Sequence, residues 1–473
     1  MKKVSILLIV LFFFSCKNQT EEIPITSTSD EAISSYKLAK KLEGQLKTDE
    51  AEIQYKKALS IDSTFVLAHI GVAMLRDDFK TRRAHISKAM EYIDQISEGE
   101  KLWLLGRNRF YGTQKGEDEY TYFKELVNLY PEDENANYLF GFVNVHHGKT
   151  EVDTAITYFK KALELNPKVS KYYNELAYAH LLNQDFENAE KIISSYMNFL
   201  PDHQNPKETY AEMLMRNHRY QESLNAYTEV LEINPKAPWA LMGSSTNLSF
   251  LGRYTEARGV LDKLGHIPLS DYEYRHKWRA SICSYLIEGK IDSAISTLQQ
   301  QYGESASGIN QREPIFHQYI ALSRRTRLYF ENNQPEKGLK SYQDFKTFVI
   351  GNITNTATIN SVLGLENYYQ AYSNYLKGDY QKAQMLLENE SNLSEDLNLL
   401  KAKILLRENE FKKAIAILEN LDENNPYHLF WLAKAYKLNN QTEPYEFTSE
   451  QIYSKIEVNN LDYALIINRL GLN

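Results

Sequence analysis

The 473-residue chain has only two cysteines, Cys16 and Cys283, and this scarcity excludes several classes of protein. Two cysteines cannot build the framework of disulfides that holds small secreted domains together. They also do not form the closely spaced cysteine pair that is typical of a structural zinc site. Because Cys283 falls where small apolar residues pack in a predicted helix, we interpret it as a buried, inert thiol.

The chain also lacks long apolar runs and an excess of basic over acidic residues. After residue 16 no apolar stretch reaches the roughly 20 residues that a membrane-spanning helix needs. The formal net charge is −8, and an acidic chain without a clustered basic patch argues against a nucleic-acid target. The densest basic run, Arg324, Arg325 and Arg327, is interpreted as a solvated helix face rather than a binding site.

The sequence also lacks the motifs that usually carry catalysis or metal binding. It has no glycine-rich phosphate loop and no HExxH pair. His146 and His147 are its one pair of adjacent histidines, and neighbours in sequence point to different faces of a helix, so they make poor joint ligands. The sequence therefore predicts that the protein is not an enzyme and has no metal or cofactor.

What the chain does have is a fixed period. Pro167, Pro201 and Pro235 stand 34 residues apart. A ladder of small residues runs in the same phase: Ala155, Ala189, Ser223 and Ala257. A step of this length is typical of helical repeats, in which each helix pair buries its apolar face only against its neighbours. Small side chains are needed where helices approach closely, and each proline prevents the second helix from continuing.

The residues that fill this period resemble the tetratricopeptide repeat (TPR) family. Two consecutive repeats carry the resemblance most clearly: Tyr173, Ala177, Ala189, Ile193 and Pro201, then Ala211, Tyr220, Ser223, Tyr227 and Pro235. With weaker links it covers roughly residues 31–460, or about a dozen helix pairs. The resemblance implies an all-α fold, a right-handed TPR superhelix (α-solenoid) of antiparallel helix pairs.

The repeats predict two consecutive arrays. The 34-residue step slips near residues 265–275, so we expect an N-terminal TPR array at 31–268 and a C-terminal TPR-like array at 269–473. Residues 461–471 have the pattern of a last helix that caps the second array.

The N-terminus has the pattern of a secretion signal. Lys2 and Lys3 precede an apolar run from Val4 to Phe14, and Ser15 and Cys16 close it. A cysteine directly after a small residue resembles a bacterial lipoprotein signal, of the type found in Bacteroidetes. That resemblance implies cleavage before Cys16 and attachment of lipid, such as palmitate, to this residue. An ordinary signal peptide with an incidental cysteine is the alternative.

We therefore expect a signal peptide at residues 1–15 and a flexible polar tether at 16–30 that begins with the lipidated Cys16. Two or more acyl chains hold a protein stably on a membrane, at about 0.8 kcal/mol per buried CH₂. By resemblance to other lipoproteins, Lys17 after the cysteine favours an outer-membrane lipoprotein, periplasmic or surface-facing.

A partner surface is predicted from the family resemblance. In TPR proteins the first helix of each repeat lines the concave face. Carrying those positions onto this chain gives these candidate partner-binding residues: Asn174, Tyr178, Glu208, Glu212, Met215, Trp239, Met242 and Thr246. Because Glu208 and Glu212 would repel an acidic tail, we expect the groove to prefer a neutral or basic segment.

Together these patterns predict a non-catalytic, lipid-anchored scaffold that binds other envelope proteins or peptides. Two alternatives stay open. One is a lipoprotein of the SusD-like kind, which captures glycans or nutrients beside a transporter, although that family interrupts its repeats with long irregular insertions. The other is an enzyme with an unrecognised site.

Overall fold

A computed structural model of the protein describes residues 22–75, 79–111, 118–146, 151–307, 314–388, 394–455 and 460–469. Within these ranges the chain is built from α-helices and a few short 3-10 helices, without strands. It forms two compact units, unit 1 up to Pro206 and unit 2 from Lys207 onward.

Unit 1 is a run of helix pairs. Its elements are α1 (Asp30–Gly44), α2 (Thr48–Ile61), α3 (Val66–Leu75), α4 (Phe79–Met90), η1 (Ile93–Gln95), α5 (Glu98–Tyr111), α6 (Glu119–Leu129), α7 (Glu134–His146), α8 (Val152–Leu165), α9 (Ser170–Leu182), α10 (Phe186–Phe199) and the first turn of α11 (Gln204–Arg216). Consecutive helices pack against each other. We call the first helix of each pair an A helix (α1, α3, α5, α7 and α9) and the second a B helix.

Unit 2 continues with the rest of α11 and the same alternation. Its further elements are α12 (Tyr220–Ile233), α13 (Pro238–Phe250), α14 (Tyr254–Asp262), η2 (Lys263–His266), α15 (Asp271–Ile287), α16 (Ile291–Ala306), α17 (Pro314–Glu331), α18 (Pro335–Asn352), α19 (Thr356–Leu363), α20 (Glu366–Lys377), α21 (Tyr380–Glu388), α22 (Glu395–Arg407), α23 (Phe411–Leu418), α24 (Pro426–Leu438), α25 (Thr442–Tyr453), α26 (Leu461–Ile466) and η3 (Ile467–Arg469). The predicted all-α fold of stacked helix pairs is confirmed.

The small residues that recur every 34 positions lie at contacts between helices, as predicted. Four side chains near the start of B helices have no exposed surface: Ala155, Ala189, Ser223 and Ala257. Ser223 fits this series because its polar group is satisfied. Its hydroxyl donates to the carbonyl of Ala211 at 2.6 Å and accepts from Nδ2 of Asn247 at 2.8 Å. The step of 34 residues thus records close approaches between helices.

A third ladder with the same step appears in the backbone. Gln184, His218 and Gly252 have φ angles of 57°, 58° and 74°, and each lies in the turn between an A helix and its B helix. A residue with a side chain is strained by about 1–2 kcal/mol in this left-handed region, whereas glycine is not. The packing of each helix pair therefore imposes the turn geometry even where the residue is unsuited to it.

This strain gives a prediction for Gln184→Gly. We expect it to raise the free energy of unfolding of unit 1 by up to about 1 kcal/mol, because Gln184 is exposed and glycine removes the strained side chain. The measurement is urea unfolding. Gly252→Gln is the reverse control in unit 2, since nothing lies within 4 Å of the added Cβ, and it should destabilise. Unchanged stability in both variants would contradict the assignment of strain.

The division of the chain differs from the predicted one. The compact units meet at residues 206 and 207 rather than near residue 268. The slip in the repeat is absorbed by η2, where Leu264 is buried in one apolar cluster with Leu241 and Ala280. Because this packing runs from α13 to α15 without a break, the irregular spacing does not mark a boundary.

The last helix does not only cover the final helix pair of the array. The predicted capping helix at 461–471 is present as α26 and η3 as far as residue 469, and residues 470–471 lie outside the described ranges. It packs against α15 and α24 of unit 2. Residues Tyr463 to Ile467 are buried there, so the end of the chain belongs to the core of this unit.

Candidate functional site

The predicted partner-binding residues divide into buried and accessible ones. Met215 and Met242 have no exposed surface and Thr246 is only 5% exposed, so none of the three can contact a partner. The prediction is corrected for these residues. For Met242 and Thr246 the reason is that α12, α14 and α15 all pack on α13, which buries every side chain from residue 240 to residue 249.

The other five residues are partly exposed. Asn174 and Tyr178 belong to unit 1, and Glu208, Glu212 and Trp239 belong to unit 2. The two glutamates among them carry less net negative charge than the sequence indicates. Glu212 is paired with Arg216 at 2.8 Å, while burial, and then the charge of Glu212, raises the pKa of Glu208 to about 7. Glu208 is therefore partly protonated near neutral pH, which weakens the predicted preference for a basic segment.

A cavity of about 290 Å³ lies among the A helices of unit 1. Its walls come from α1, α3, α5, the start of α7 and the end of α8, together with residues 22–25. Leu67 and Trp103 make part of the lining apolar, whereas Lys40, Asp133 and Glu134 make part of it charged. We call this space the unit 1 cavity. Sequence reasoning did not find it, because its walls come from five helices spread over more than 130 residues of the chain.

A segment outside the helices, residues 22–29, lines this cavity with its first residues and is held by carboxylates. Three of them accept backbone N–H groups of the segment: Asp133 from Ile23 at 3.0 Å, Glu100 from Thr26 at 2.8 Å and Asp62 from Thr28 at 2.8 Å. The hydroxyls of Thr26 and Ser27 add bonds to two of the same carboxylates. The predicted flexible tether covers residues 16–30, and these contacts correct it, because residues 23–28 are bound to unit 1.

A smaller space of about 40 Å³ adjoins the unit 1 cavity, and charged side chains form part of its lining. There Lys171 of α9 donates to Glu43 of α1 at 3.3 Å, and the hydroxyl of Tyr55 donates to the same carboxylate. Burial would raise the pKa of Glu43, but Lys40 and Lys171 lower it to about 2. Burial and the nearby Lys40 in turn lower the pKa of Lys171 to about 8, against the pull of Glu43. The first and last A helices of unit 1 are thus joined by a partly buried ion pair.

The sequence predicts no metal site, and the residues to check first are the adjacent histidines, His146 and His147. Across the described ranges no group of three or more His, Cys, Asp or Glu side chains is placed to hold a metal ion. His146 lies beside Glu175, with Nε2 and Oε2 2.9 Å apart, and His147 lies outside those ranges. Cys283 is 3% exposed, and burial raises the pKa of its thiol to about 12, as expected for an unreactive thiol.

The predicted lipidation site and signal peptide lie outside the described residues, which begin at residue 22. In the part of the chain that the structure describes, none of the helices combines the length and the apolar character that crossing a bilayer requires.

Comparison with known proteins places one stretch in a family. Residues 144–196 match the tetratricopeptide repeat family, and they comprise the end of α7, α8, α9 and most of α10. No curated protein matches the chain. The match and the stacked helix pairs together support a TPR protein.

Several solved structures are similar to this chain at low identity. A tetratricopeptide repeat protein from Parabacteroides merdae is 15% identical, with a TM-score of 0.34 over 67% of this chain and 98% of that one. Yeast Tom70 is 14% identical, with a TM-score of 0.41 over 89% of this chain and 95% of its own. YrrB, described as a TPR protein with an unusual peptide-binding site, is 16% identical, with a TM-score of 0.25 over 45% of this chain and 92% of its own.

Proposed function

We propose that this protein is a non-catalytic scaffold that binds partner proteins or peptides at the bacterial cell envelope. In this proposal a lipid on Cys16 anchors it to the outer membrane, on the periplasmic or the outward-facing side. The stacked helix pairs and the TPR match at 144–196 support protein binding. The anchor and the location rest on the sequence pattern of residues 1–17.

The observation that carries the proposal is the way unit 1 holds residues 22–29. Carboxylates at helix ends accept the N–H groups of this segment, while the buried side chain of Ile23 lines the cavity together with Trp103. Main-chain hydrogen bonds combined with pockets for side chains are the usual means of recognising extended peptides. The adjoining unit 1 cavity offers the same chemistry to a second, external segment.

A matched pair of variants tests this site. Leu165 and Leu129 each end a B helix and are 38% and 39% exposed, but of the two only Leu165 lines the unit 1 cavity. We expect Leu165→Glu to weaken capture of partner proteins from membranes at least tenfold, since a charge replaces an apolar contact, whereas Leu129→Glu should leave it unchanged. The measurement is crosslinking capture with the tagged full-length chain.

A third arm of the same experiment uses Cys16→Ala. It should move the protein from the membrane fraction to the soluble fraction and abolish labelling with palmitate. Equal capture by both leucine variants would remove the unit 1 cavity from the proposal, and unchanged membrane association of the cysteine variant would remove the lipid anchor.

A further inference from the structure

Unit 2 contains two arginines that form no ion pair with a carboxylate in the part of the chain that the structure describes. The basic run on α17 is not the solvated face expected from the sequence, because all three of its arginines are partly buried. Arg325 pairs with Asp344 and Arg327 pairs with Asp462. Arg324 has no ion-pair partner among the described residues. On α15, the Nε of Arg279 is buried and makes no hydrogen bond in the described chain.

These two arginines lie close enough to affect each other. Burial, followed by the charge of Arg279, lowers the pKa of Arg324 to about 10. Both guanidinium groups also act on Cys283, where they oppose the effect of burial on the thiol pKa. Two partly buried like charges cost free energy, and the one carboxylate that acts on Arg324, Asp462, is ion-paired with Arg327. An additional anion that pairs with Arg279 and Arg324 would offset this cost.

An exposed aromatic surface adjoins this pair. Tyr272 near the start of α15 is 50% exposed, and Phe316 near the start of α17 is 41% exposed. The guanidinium of Arg275 lies over both rings, 5.7 Å from the centroid of Tyr272 and 5.3 Å from that of Phe316. Arg275 is one helical turn before Arg279, so aromatic and cationic groups follow one another along α15.

One carboxylate of the chain, that of Asp462, lies near the arginines of α17. Asp462 of α26 pairs with Arg327, which is one turn beyond Arg324 on α17. The next residues of α26 are buried against unit 2. A short segment that combines an acidic residue with apolar ones is therefore already accommodated near these arginines, while Arg279 and Arg324 keep no paired carboxylate of their own.

We propose that the surface formed by Tyr272, Arg275, Arg279, Phe316 and Arg324, the arginine face, binds an acidic segment of a partner protein. The inference rests on the proposed scaffold function and gives the chemistry of one partner. Carboxylates of the segment pair with Arg279 and Arg324, since guanidinium groups bind carboxylates through two parallel hydrogen bonds. Apolar side chains between these carboxylates pack on Tyr272 and Phe316.

The test uses the full chain and a labelled peptide of sequence EELEELEELEE, with KKLKKLKKLKK as the charge control. Fluorescence anisotropy should show saturable binding of the acidic peptide alone. The double variant Arg279→Gln/Arg324→Gln should weaken it at least tenfold. Arg325→Gln is the matched control on the same helix, because Arg325 is paired on the side of α18, and it should bind as the unmodified protein does.

Thermal unfolding separates a binding role from a structural one. Because the two arginines repel each other, the double variant should unfold at the same temperature as the unmodified protein or at a higher one. A large loss of stability would mean that the arginines serve the fold.

Three results would overturn the arginine face: no saturable binding of the acidic peptide, equal binding to the double variant, or arginine-dependent binding of inorganic phosphate alone. None of these changes the outcome expected for Leu165→Glu, so failure of this inference and failure of the proposed function are distinguishable.

Discussion

Replacing Glu331 by glutamine is expected to lower the free energy of unfolding of unit 2 by about 3–5 kcal/mol, the cost of breaking a buried ion pair by removing one partner. The carboxylate is only 5% exposed and lies 3.6 Å from Nζ of Lys403, which is 4% exposed. Arg469 also reaches it, at 3.1 Å. Glutamine keeps the shape and an oxygen acceptor, so the variant removes little besides the charge.

Two tyrosines show how tightly this charge is enclosed. The hydroxyls of Tyr372 and Tyr427 donate to Oε1 of Glu331 at 2.8 and 2.6 Å and accept from Nζ of Lys403 at 3.1 and 2.9 Å. They therefore close a ring between the two charged groups. Without the carboxylate, Lys403 and Arg469 lose the ion-pair partner that they share, whereas Arg327 keeps Asp462.

The effect of Glu331→Gln should depend on pH in a defined direction. Burial alone would raise the pKa of Glu331, but Lys403, Arg469 and Arg327 lower it to about 2, from a usual value of 4.5. A carboxyl whose pKa is lower in the folded state stabilises the protein above the unfolded pKa and loses this effect as the pH falls through the folded pKa. The difference between the two proteins should therefore be full above about pH 5 and shrink toward pH 2.

An exposed ion pair in the same unit supplies the control. Glu336 pairs with Lys377 at 2.6 Å, but the two side chains are 76% and 47% exposed. Glu336→Gln should change the free energy of unfolding by less than about 1 kcal/mol, because water screens such pairs. Chemical unfolding of both variants gives the comparison. If Glu331→Gln were as mild as Glu336→Gln, the ring of charges would not be holding unit 2 together.

The helix pairs were predictable because their contacts are local. Ala189 and Ile193 lie where two helices that are neighbours in sequence approach each other. Ala155, Ser223 and Ala257 occupy the same position in other repeats, so the geometry leaves a period in the chain. The start of α7 depends on local contacts in the same way. Asp133 accepts from the N–H groups of Asn135 and Ala136 and thereby caps α7, as acidic residues do at the start of a helix.

The candidate sites were not predictable, because their contacts join residues that are far apart in sequence. Asp133 also accepts from the N–H of Ile23, and nothing near either residue indicates this bond. The ring around Glu331 and the pair of Arg279 with Arg324 arise in the same way. The TPR family positions used for the partner surface also treat Trp239 and Met242 alike. In the structure Trp239 is partly exposed, whereas Met242 lies on the side of α13 that its neighbouring helices cover.

The second large effect is expected for Phe159→Ala, which should lower the free energy of unfolding of unit 1 by about 3–5 kcal/mol. Phe159 follows Ala155 by one turn and has no exposed surface. Its ring lies against the backbone of Gly141, where an added Cβ would come within 2.8 Å of it. Ile53→Ala is the control in the same unit, because Ile53 is 64% exposed and should change stability by less than about 0.5 kcal/mol.

A second substitution distinguishes this packing from a general loss of apolar surface. Gly141→Ala alone should destabilise unit 1 by about 1–3 kcal/mol, because its Cβ collides with the ring of Phe159. In the Phe159→Ala background the same change should be neutral or stabilising, since the ring is gone and alanine favours a helix by about 1 kcal/mol over glycine. A double-mutant cycle measured by urea unfolding gives the coupling. If the two effects simply added, the close approach of ring and glycine would not be what orders this repeat.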